Sequence, residues 1–312
     1  QQHLGNSEKK ILIGRNRSYH GVGFGGISVG GLPYNKNHFS LLPNVAHICD
    51  THNLKRNAFS KGQPDWGKKL ADDLLRVIEK HGADQIAAFI TEPVAGSTGV
   101  LIPPKGYLER IRQICTDHNI LLIFDEVITG FGRLGDPFAA QHFNVEPDLI
   151  TCAKGLTSGT VPMGAVIVKK EIYDAFQQGD QKVIDLFHGY TYSAHPLASA
   201  AMIATLDVYV NDGLFDHANT LSQYWEEMCH SLNGTDHIID IRNSGLVAGI
   251  EMNPRDEKPG ARGYDVFTDA FHNYNLLIRI TGDTIALSPP LIAEKEHIDI
   301  IIETLRTIIP NH

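Results

Sequence analysis

An aspartate and a lysine follow two consecutive apolar runs, in positions from which both could act on one ligand. Asp125 ends the run 121–125 (LLIFD), and Lys154 comes shortly after the run 149–152 (LITC). In a parallel α/β sheet, the carboxyl ends of neighbouring strands meet at one crevice, and ligands bind there. We therefore expect Asp125 and Lys154 to face the same small volume.

An amine and a carboxylate placed in this way suit pyridoxal phosphate. A lysine amine forms a Schiff base with the cofactor's aldehyde, and a carboxylate keeps the pyridine nitrogen protonated, so that the ring accepts electrons from a carbanion. Spacing alone leaves open a simpler interpretation, in which the two residues are a surface lysine and a strand-end aspartate. Glu92 favours the catalytic interpretation, because it follows a third apolar run, 86–91 (IAAFIT), and adds a second acid at the same predicted edge.

The first two thirds of the chain supply the strands and helices that would position these residues. Apolar runs of strand length alternate with amphipathic stretches, which is typical of parallel βαβ units with helices on both faces of the sheet. Strands are predicted over 9–14, 86–91, 120–124, 149–152 and 163–168, and helices over 65–81, 105–118 and 197–210.

The pattern changes after Gly213, where short strands and longer helices follow one another. Helices are predicted over 214–232, 264–274 and 294–309, and strands over 238–242, 246–251 and 276–280. We therefore predict an α/β large domain, residues 1–213, with a mostly parallel central sheet between helices, and a smaller α+β domain, residues 214–312.

The glycine-rich run 21–31 contains two motif matches. The first is G-x-G-x-x-G from Gly21 to Gly26, and the second is G-x-S-x-G around Ser28. A dinucleotide fingerprint must open a helix, and a nucleophile elbow must join a strand to a helix. Because more glycines and then 32–35 (LPYN) follow, we interpret the run as a flexible loop whose backbone can approach a ligand.

Composition points to small-molecule partners. The formal net charge of -9 gives no electrostatic reason to expect nucleic acid or an anionic membrane surface. No apolar run approaches the roughly 20 residues of a membrane helix. The four cysteines are scattered without zinc-site spacing, so we predict no metal and reduced thiols in a cytoplasmic protein.

Six stretches make the sequence resemble the class III aminotransferases, the fold-type-I pyridoxal-phosphate enzymes that include ω-amino acid transaminases. These stretches are 18–21 (SYHG), 92–96 (EPVAG), 124–133 (FDEVITGFGR), 153–156 (AKGL), 191–196 (TYSAHP), and Arg279 before 282–283 (GD). They keep the family's order along nearly the whole chain. Within the class, 21–31, 95–100 and 279–290 resemble most the β-alanine (ω-amino acid) to pyruvate aminotransferases.

The resemblance implies pyridoxal phosphate as cofactor and gives four residues roles around its ring. Lys154 would hold the cofactor and move the proton between substrate and cofactor. Asp125 would keep the pyridine nitrogen protonated. Val127 and Tyr19 would pack on the two faces of the ring, where an aromatic side chain supplies both area and orientation.

Other residues would act around this centre by the same resemblance. Thr191 would donate a hydrogen bond to the cofactor phosphate of a partner subunit, which implies a homodimer or a dimer of dimers. Glu92 and His20 would lie beside the cofactor, and Arg279 would clamp a substrate carboxylate. Ala194 stands where the family usually has glycine.

The function implied is a ping-pong transfer of an amino group from an ω-amino donor such as β-alanine to pyruvate, giving alanine. Another class III activity, such as that of an aminomutase or a different amine transaminase, stays open, and so does a non-catalytic remnant. The chain begins at Gln1. Because family members carry a longer segment before the equivalent of Ile11, we expect a truncated form that lacks part of the phosphate site.

Overall fold

The computed structural model describes residues 1–178, 186 and 188–312, and within them the strands form two sheets. The first sheet has six strands in the order β2-β1-β3-β4-β5-β6. Its strands are β1 (Ile11–Arg15), β2 (Val45–Ile48), β3 (Ile86–Thr91), β4 (Leu121–Asp125), β5 (Leu149–Ala153) and β6 (Gly164–Val168). All neighbouring pairs are parallel except β5 and β6, because the short connection between those two cannot make a parallel crossover.

The second sheet is antiparallel, in the order β7-β8-β10-β9. Its strands are β7 (Ile238–Ser244), β8 (Val247–Met252), β9 (Arg279–Thr281) and β10 (Thr284–Leu287). The sequence pattern predicts one strand at 276–280, whereas the structure has a hairpin, β9 and β10. The hairpin turns through Gly282, which has a φ of +59°, and Asp283. Such two-residue turns require residues that tolerate positive φ.

Helices cover both sheets, and most match the predicted segments. They are α1 (Phe24–Val29), α2 (Pro33–Lys36), α3 (Leu54–Asn57), α4 (Gly67–Ala71), α5 (Asp73–His81), α6 (Tyr107–Asp117), α7 (Ala139–His142), α8 (Lys170–Phe176), α9 (Pro196–Asn211), α10 (Leu214–His230), α11 (Ala261–Tyr274) and α12 (Lys295–Ile308). The single helix predicted over 65–81 is divided at Asp72, whose carboxylate pairs with Arg110 of α6 at 2.8 Å.

The prediction of a flexible loop at 21–31 is wrong, because α1 occupies its centre. Ile27 and Val29 are buried, and α1 contacts β1 and β2. A Cβ on Gly14 would lie 1.9 Å from the Val29 carbonyl oxygen, so glycine on β1 permits this close approach. The buried Ser28 hydroxyl bonds to the Phe24 carbonyl, as expected of a structural serine. Tertiary packing thus overrides the low helix propensity of the two glycines.

Two hydrophobic cores stabilise the molecule. One is centred on the first sheet and buries Phe89, Leu108 and Phe124. The other buries Trp225 and Ile250 beneath the second sheet. This second core also takes in buried residues that precede Gly213, namely Phe131, Cys152, Leu156 and Tyr209. The domain boundary at Gly213, between α9 and α10, therefore stays a prediction.

Helix α9 is apolar on nearly every side, yet five of its large apolar side chains are exposed: Leu197, Ile203, Leu206, Val208 and Val210. A helix of this composition is ordinarily buried against another surface. Among the described residues, no helix combines the length and apolarity needed to cross a membrane.

All four cysteines are free. Cys49 is exposed, and the other three are buried: Cys115, Cys152 and Cys229.

Candidate active site

Glu92, Asp125 and Lys154 follow or end three adjacent strands, β3, β4 and β5, at the same edge of the first sheet. The strands are in parallel register, with Thr91 opposite Phe124 and Asp125 opposite Thr151. The crevice expected from the sequence is therefore present in the fold.

Asp125 is held by two neighbours. Its Oδ2 atom lies 2.7 Å from His20 Nδ1, and its Oδ1 atom accepts a 3.1 Å hydrogen bond from the Val127 backbone N–H. The Asp125 residue is 8% exposed, and the His20 side chain is 2% exposed. His20 Nε2 is buried and has no hydrogen-bond partner among the described residues. The carboxylate is thus fixed in orientation while the ring of His20 supports it.

Glu92 lies beside this pair and positions the segment that carries Tyr19. Its Oε1 atom accepts a 2.9 Å hydrogen bond from the Tyr19 backbone N–H. Burial raises the pKa of the Glu92 carboxyl, and the charges of His20 and Arg15 oppose that rise. Arg15 is fully buried, and its Nη2 donates to the Glu92 carbonyl oxygen at 3.4 Å. Sequence reasoning missed Arg15, although it ends an apolar run at the same sheet edge.

Lys154 projects into an open cavity, and its amine makes no hydrogen bond or ion pair with the part of the chain that the structure describes. Burial of its surroundings lowers the pKa of the amine, Arg279 lowers it further, and Asp125 and Glu92 oppose the shift. The amine is therefore unprotonated more often than an ordinary lysine amine. The Lys154 backbone has a φ of +46°, a left-handed conformation that costs about 1–2 kcal/mol in an L-residue.

The cavity has a volume of about 850 Å³ and brings Lys154, Val127 and Arg279 together. Arg279 reaches it from β9 of the second sheet, and its Nη2 donates to the Ser97 carbonyl oxygen at 3.3 Å. Both sheets thus contribute charged side chains to one space. The cavity is also lined by three residues that sequence reasoning gave no role: Phe131, Arg133 and Tyr209.

A second cavity, of about 800 Å³, lies at the amino-terminal ends of the strands of the first sheet, near the start of β4. Its basic residues Arg112 and Lys169 both pair with Asp148, at 2.8 and 3.1 Å. These charges are neutralised locally, whereas Lys154 keeps a free amine. The chemistry therefore favours the Lys154 cavity as the active site.

Thr191 is exposed and lies outside the Lys154 cavity, on the turn 191–194. Its predicted contact with a partner's cofactor stays a prediction. Ala194 in the same turn has a φ of +56°, in the region that favours glycine.

Comparison with known proteins identifies the chain. The family model described as Aminotransferase class-III matches residues 1–309. The chain belongs to the class III aminotransferases. This aminotransferase is 60% identical over 306 residues to the ω-aminotransferase of Caulobacter vibrioides, covering 98% of this chain and 70% of that protein. It is 45% identical over 305 residues to the β-alanine–pyruvate aminotransferase of Pseudomonas aeruginosa, covering 96% and 67%.

Solved structures agree with this assignment. The ω-transaminase from Pseudomonas jessenii in complex with PMP superposes with a TM-score of 0.90 at 30% identity, covering 100% of this chain and 72% of that one. A transaminase with L-Ala gives a TM-score of 0.92 at 31% identity, covering 99% and 74%. The predicted family, fold type and enzyme class are therefore confirmed.

The family and the PMP-bound structure imply a cofactor of the pyridoxal type, and the residues of this aminotransferase fit it. A free amine with a lowered pKa is present in Lys154. A buried carboxylate, fixed by His20 and Val127, is present in Asp125. Lys154 and Asp125 are the residues that would hold the cofactor.

Proposed function

We propose that this aminotransferase moves an amino group from an ω-amino acid or amine, such as β-alanine, to pyruvate, with pyridoxal phosphate as cofactor and by ping-pong chemistry. The observation that carries the proposal is the cavity shared by Lys154, Val127 and Arg279, next to the fixed carboxylate of Asp125. Amino transfer to pyruvate is also what the name of the Pseudomonas aeruginosa relative states.

Bound pyridoxal phosphate supplies an aldehyde for amine exchange and an electron sink. Lys154 would remove the proton from the substrate carbon and return one, which requires the unprotonated amine that its lowered pKa favours. Asp125, oriented by His20 Nδ1 and the Val127 N–H, would keep a proton on the pyridine nitrogen. Val127 lines the cavity and would pack on one face of the ring. Tyr19, whose backbone N–H donates to Glu92, would pack on the other face.

Arg279 would bind the carboxylate that β-alanine and pyruvate share. A guanidinium presents parallel N–H groups that match a carboxylate in a bidentate pair. The bond from Nη2 to the Ser97 carbonyl anchors the guanidinium and leaves other N–H groups free for a substrate.

We propose that this aminotransferase is a homodimer or a dimer of dimers and that it acts in the cytoplasm. The exposed apolar side chains of α9 supply a surface for a second copy, and Thr191 lies just before that helix. Four free thiols suit a reducing compartment.

Replacing the lysine tests the proposed chemistry. We expect the chain mixed with pyridoxal phosphate to show the visible absorbance band of lysine-bound cofactor and to form alanine from β-alanine and pyruvate. Lys154→Ala should lose both signals. The control, Lys170→Ala, removes a lysine whose side chain is 83% exposed and should keep both. An unchanged spectrum in Lys154→Ala would contradict the proposal.

Replacing the arginine tests the substrate class. Arg279→Gln should lower kcat/KM for β-alanine and for pyruvate about 100-fold, because a charge-assisted bidentate pair is lost. A monoamine donor has no carboxylate, so its half-reaction should change less than about threefold. An equal loss of kcat/KM for β-alanine and for the monoamine donor would favour a different amine transaminase or an aminomutase. The matched control is Arg255→Gln, an arginine that pairs with Asp265 on the surface.

A further inference from the structure

Tyr209 of α9 contacts the turn that carries Lys154. Its hydroxyl donates a 2.7 Å hydrogen bond to the carbonyl oxygen of Gly155, the residue directly after Lys154. Tyr209 is 7% exposed, and burial raises the pKa of its phenol, so the hydroxyl stays protonated at neutral pH and acts as the donor. The bond therefore joins a distant helix to the reactive turn.

Phe131 supports the same turn by packing. A Cβ on Gly155 would lie 2.9 Å from the Phe131 Cβ, so the Gly155 backbone rests directly on this side chain. The rings of Phe131 and Tyr209 stack with centroids 6.1 Å apart and 20° between their planes. Gly155 is thus fixed by one aromatic contact and one hydrogen bond to side chains far away in the sequence.

The turn held in this way has a conformation that needs support. Lys154 has a φ of +46°, which L-residues seldom adopt. The Gly155 carbonyl accepts two hydrogen bonds, from the Ser158 backbone N–H at 3.2 Å and from the Tyr209 hydroxyl. Loss of the hydroxyl would remove one of these two bonds and let the Lys154 backbone relax.

We propose that Tyr209 is a positioning residue for Lys154, and that it acts through the Gly155 carbonyl to hold the lysine amine at its place in the cavity. The inference rests on the proposed role of Lys154. The charged groups that face the amine are Arg279 on β9, Asp125 at the end of β4 and Glu92 after β3. All three remain when the Tyr209 hydroxyl is removed, so a change in the titration of the amine reports its position.

The test compares Tyr209→Phe with Tyr264→Phe, a control in which the tyrosine is 61% exposed. Competitive labelling of Lys154 with acetic anhydride across pH, read by mass spectrometry, gives the pKa of the amine without any cofactor. We expect that pKa to rise by about half a unit or more in Tyr209→Phe, because an amine that leaves this place moves away from the buried surroundings and from Arg279, which both lower its pKa. With cofactor added, kcat should fall about tenfold while KM for the amino donor changes less than about twofold.

An unchanged Lys154 titration in Tyr209→Phe overturns the proposal, whatever the activity of that variant. A separate experiment tests the proposed function: borohydride is added to the unsubstituted chain mixed with pyridoxal phosphate. The proposed function fails if no cofactor is then found attached to Lys154. The labelling would still report the position of the amine. If Tyr209→Phe does not fold, Gly155→Ala displaces the same turn through its clash with Phe131, and the same upward shift is expected; no shift there overturns the proposal.

Discussion

Ala194 has a backbone conformation that glycine adopts more easily, with a φ of +56°. An alanine in this conformation costs about 1–2 kcal/mol, and glycine removes this strain. Glycine also raises the conformational entropy of the unfolded chain, which offsets part of the stabilisation. We predict that Ala194→Gly raises the free energy of unfolding by about 0.5 kcal/mol. Urea unfolding followed by circular dichroism checks this.

The control for Ala194→Gly is Ala200→Gly, at an exposed position within α9. There the backbone is helical, and glycine should lower the free energy of unfolding by about 1 kcal/mol. A loss of stability in both variants would contradict the account of Ala194.

At the same scale, residue type and position predict part of the candidate site. Asp125, Glu92 and Lys154 were expected at one edge because parallel strands end together. Arg15 and Tyr209 were not, because their contacts join segments far apart in sequence: Arg15 reaches Glu92, and Tyr209 reaches Gly155. Nothing local distinguishes Tyr209 from an ordinary core residue.

The second sheet contains a partly buried charged cluster built on two of its strands. His52, Asp240 of β7 and Glu251 of β8 place their ligand atoms within 4.8 Å of one another. Arg242 pairs with both carboxylates and so offsets part of their negative charge. Burial alone would raise the pKa of Glu251, but His52, whose Nε2 lies 3.1 Å from the carboxylate, and the charge of Arg242 outweigh it and lower the pKa to about 2.

This cluster predicts an acid-dependent loss of stability. A carboxyl whose pKa falls from 4.5 to about 2 on folding stabilises the protein above pH 4.5, and the stabilisation is lost as pH falls toward 2. The shift corresponds to about 3 kcal/mol. Glu251→Gln should lower the free energy of unfolding by about that amount at pH 7, and the difference should shrink steadily below pH 4.5.

Urea unfolding of both proteins at several pH values measures this difference. The exposed Glu257→Gln is the control and should leave the midpoint unchanged. A pH-independent difference for Glu251→Gln would show that the carboxyl is not stabilised by its neighbours.

Long periodic segments were predicted well at the scale of elements, and short ones were not. The strands β3, β4 and β5 match their predicted runs within about two residues, because continuous apolar sequence specifies a doubly covered strand. β2 has four residues and no clear alternation, and α1 contains two glycines. Both depend on packing against β1, which local sequence does not report.

The two cores of the molecule are joined by Arg242. Its Nε donates to the carbonyl oxygens of Gly99 and Val100 at 3.0 Å, and its Nη2 donates to Gly99 at 2.7 Å. These carbonyls belong to the loop after β3, so the guanidinium ties the second sheet to the first.

We predict that Arg242→Met lowers the free energy of unfolding by about 3–5 kcal/mol, because it leaves the buried carboxylate of Asp240 and the partly buried carboxylate of Glu251 without the guanidinium that pairs with both. The cores should also unfold less cooperatively. The change in tryptophan emission on unfolding reports mainly on Trp225, which is buried in the second core. The urea transition followed by this emission should then no longer coincide with the transition followed by far-UV circular dichroism. Arg255→Met, at the surface pair with Asp265, is the control, and coincident transitions in Arg242→Met would contradict the prediction.

The four thiols differ in exposure, so one cysteine can be labelled while the other three are protected. Only Cys49 is exposed, so a maleimide should label that position selectively. Partial desolvation and Asp73 raise the pKa of the Cys49 thiol, so the labelling needs a mildly alkaline buffer. Copies carrying donor and acceptor dyes could then be mixed. Energy transfer that appears on mixing and disappears on dilution would report directly on self-association, with no substitution in the sequence.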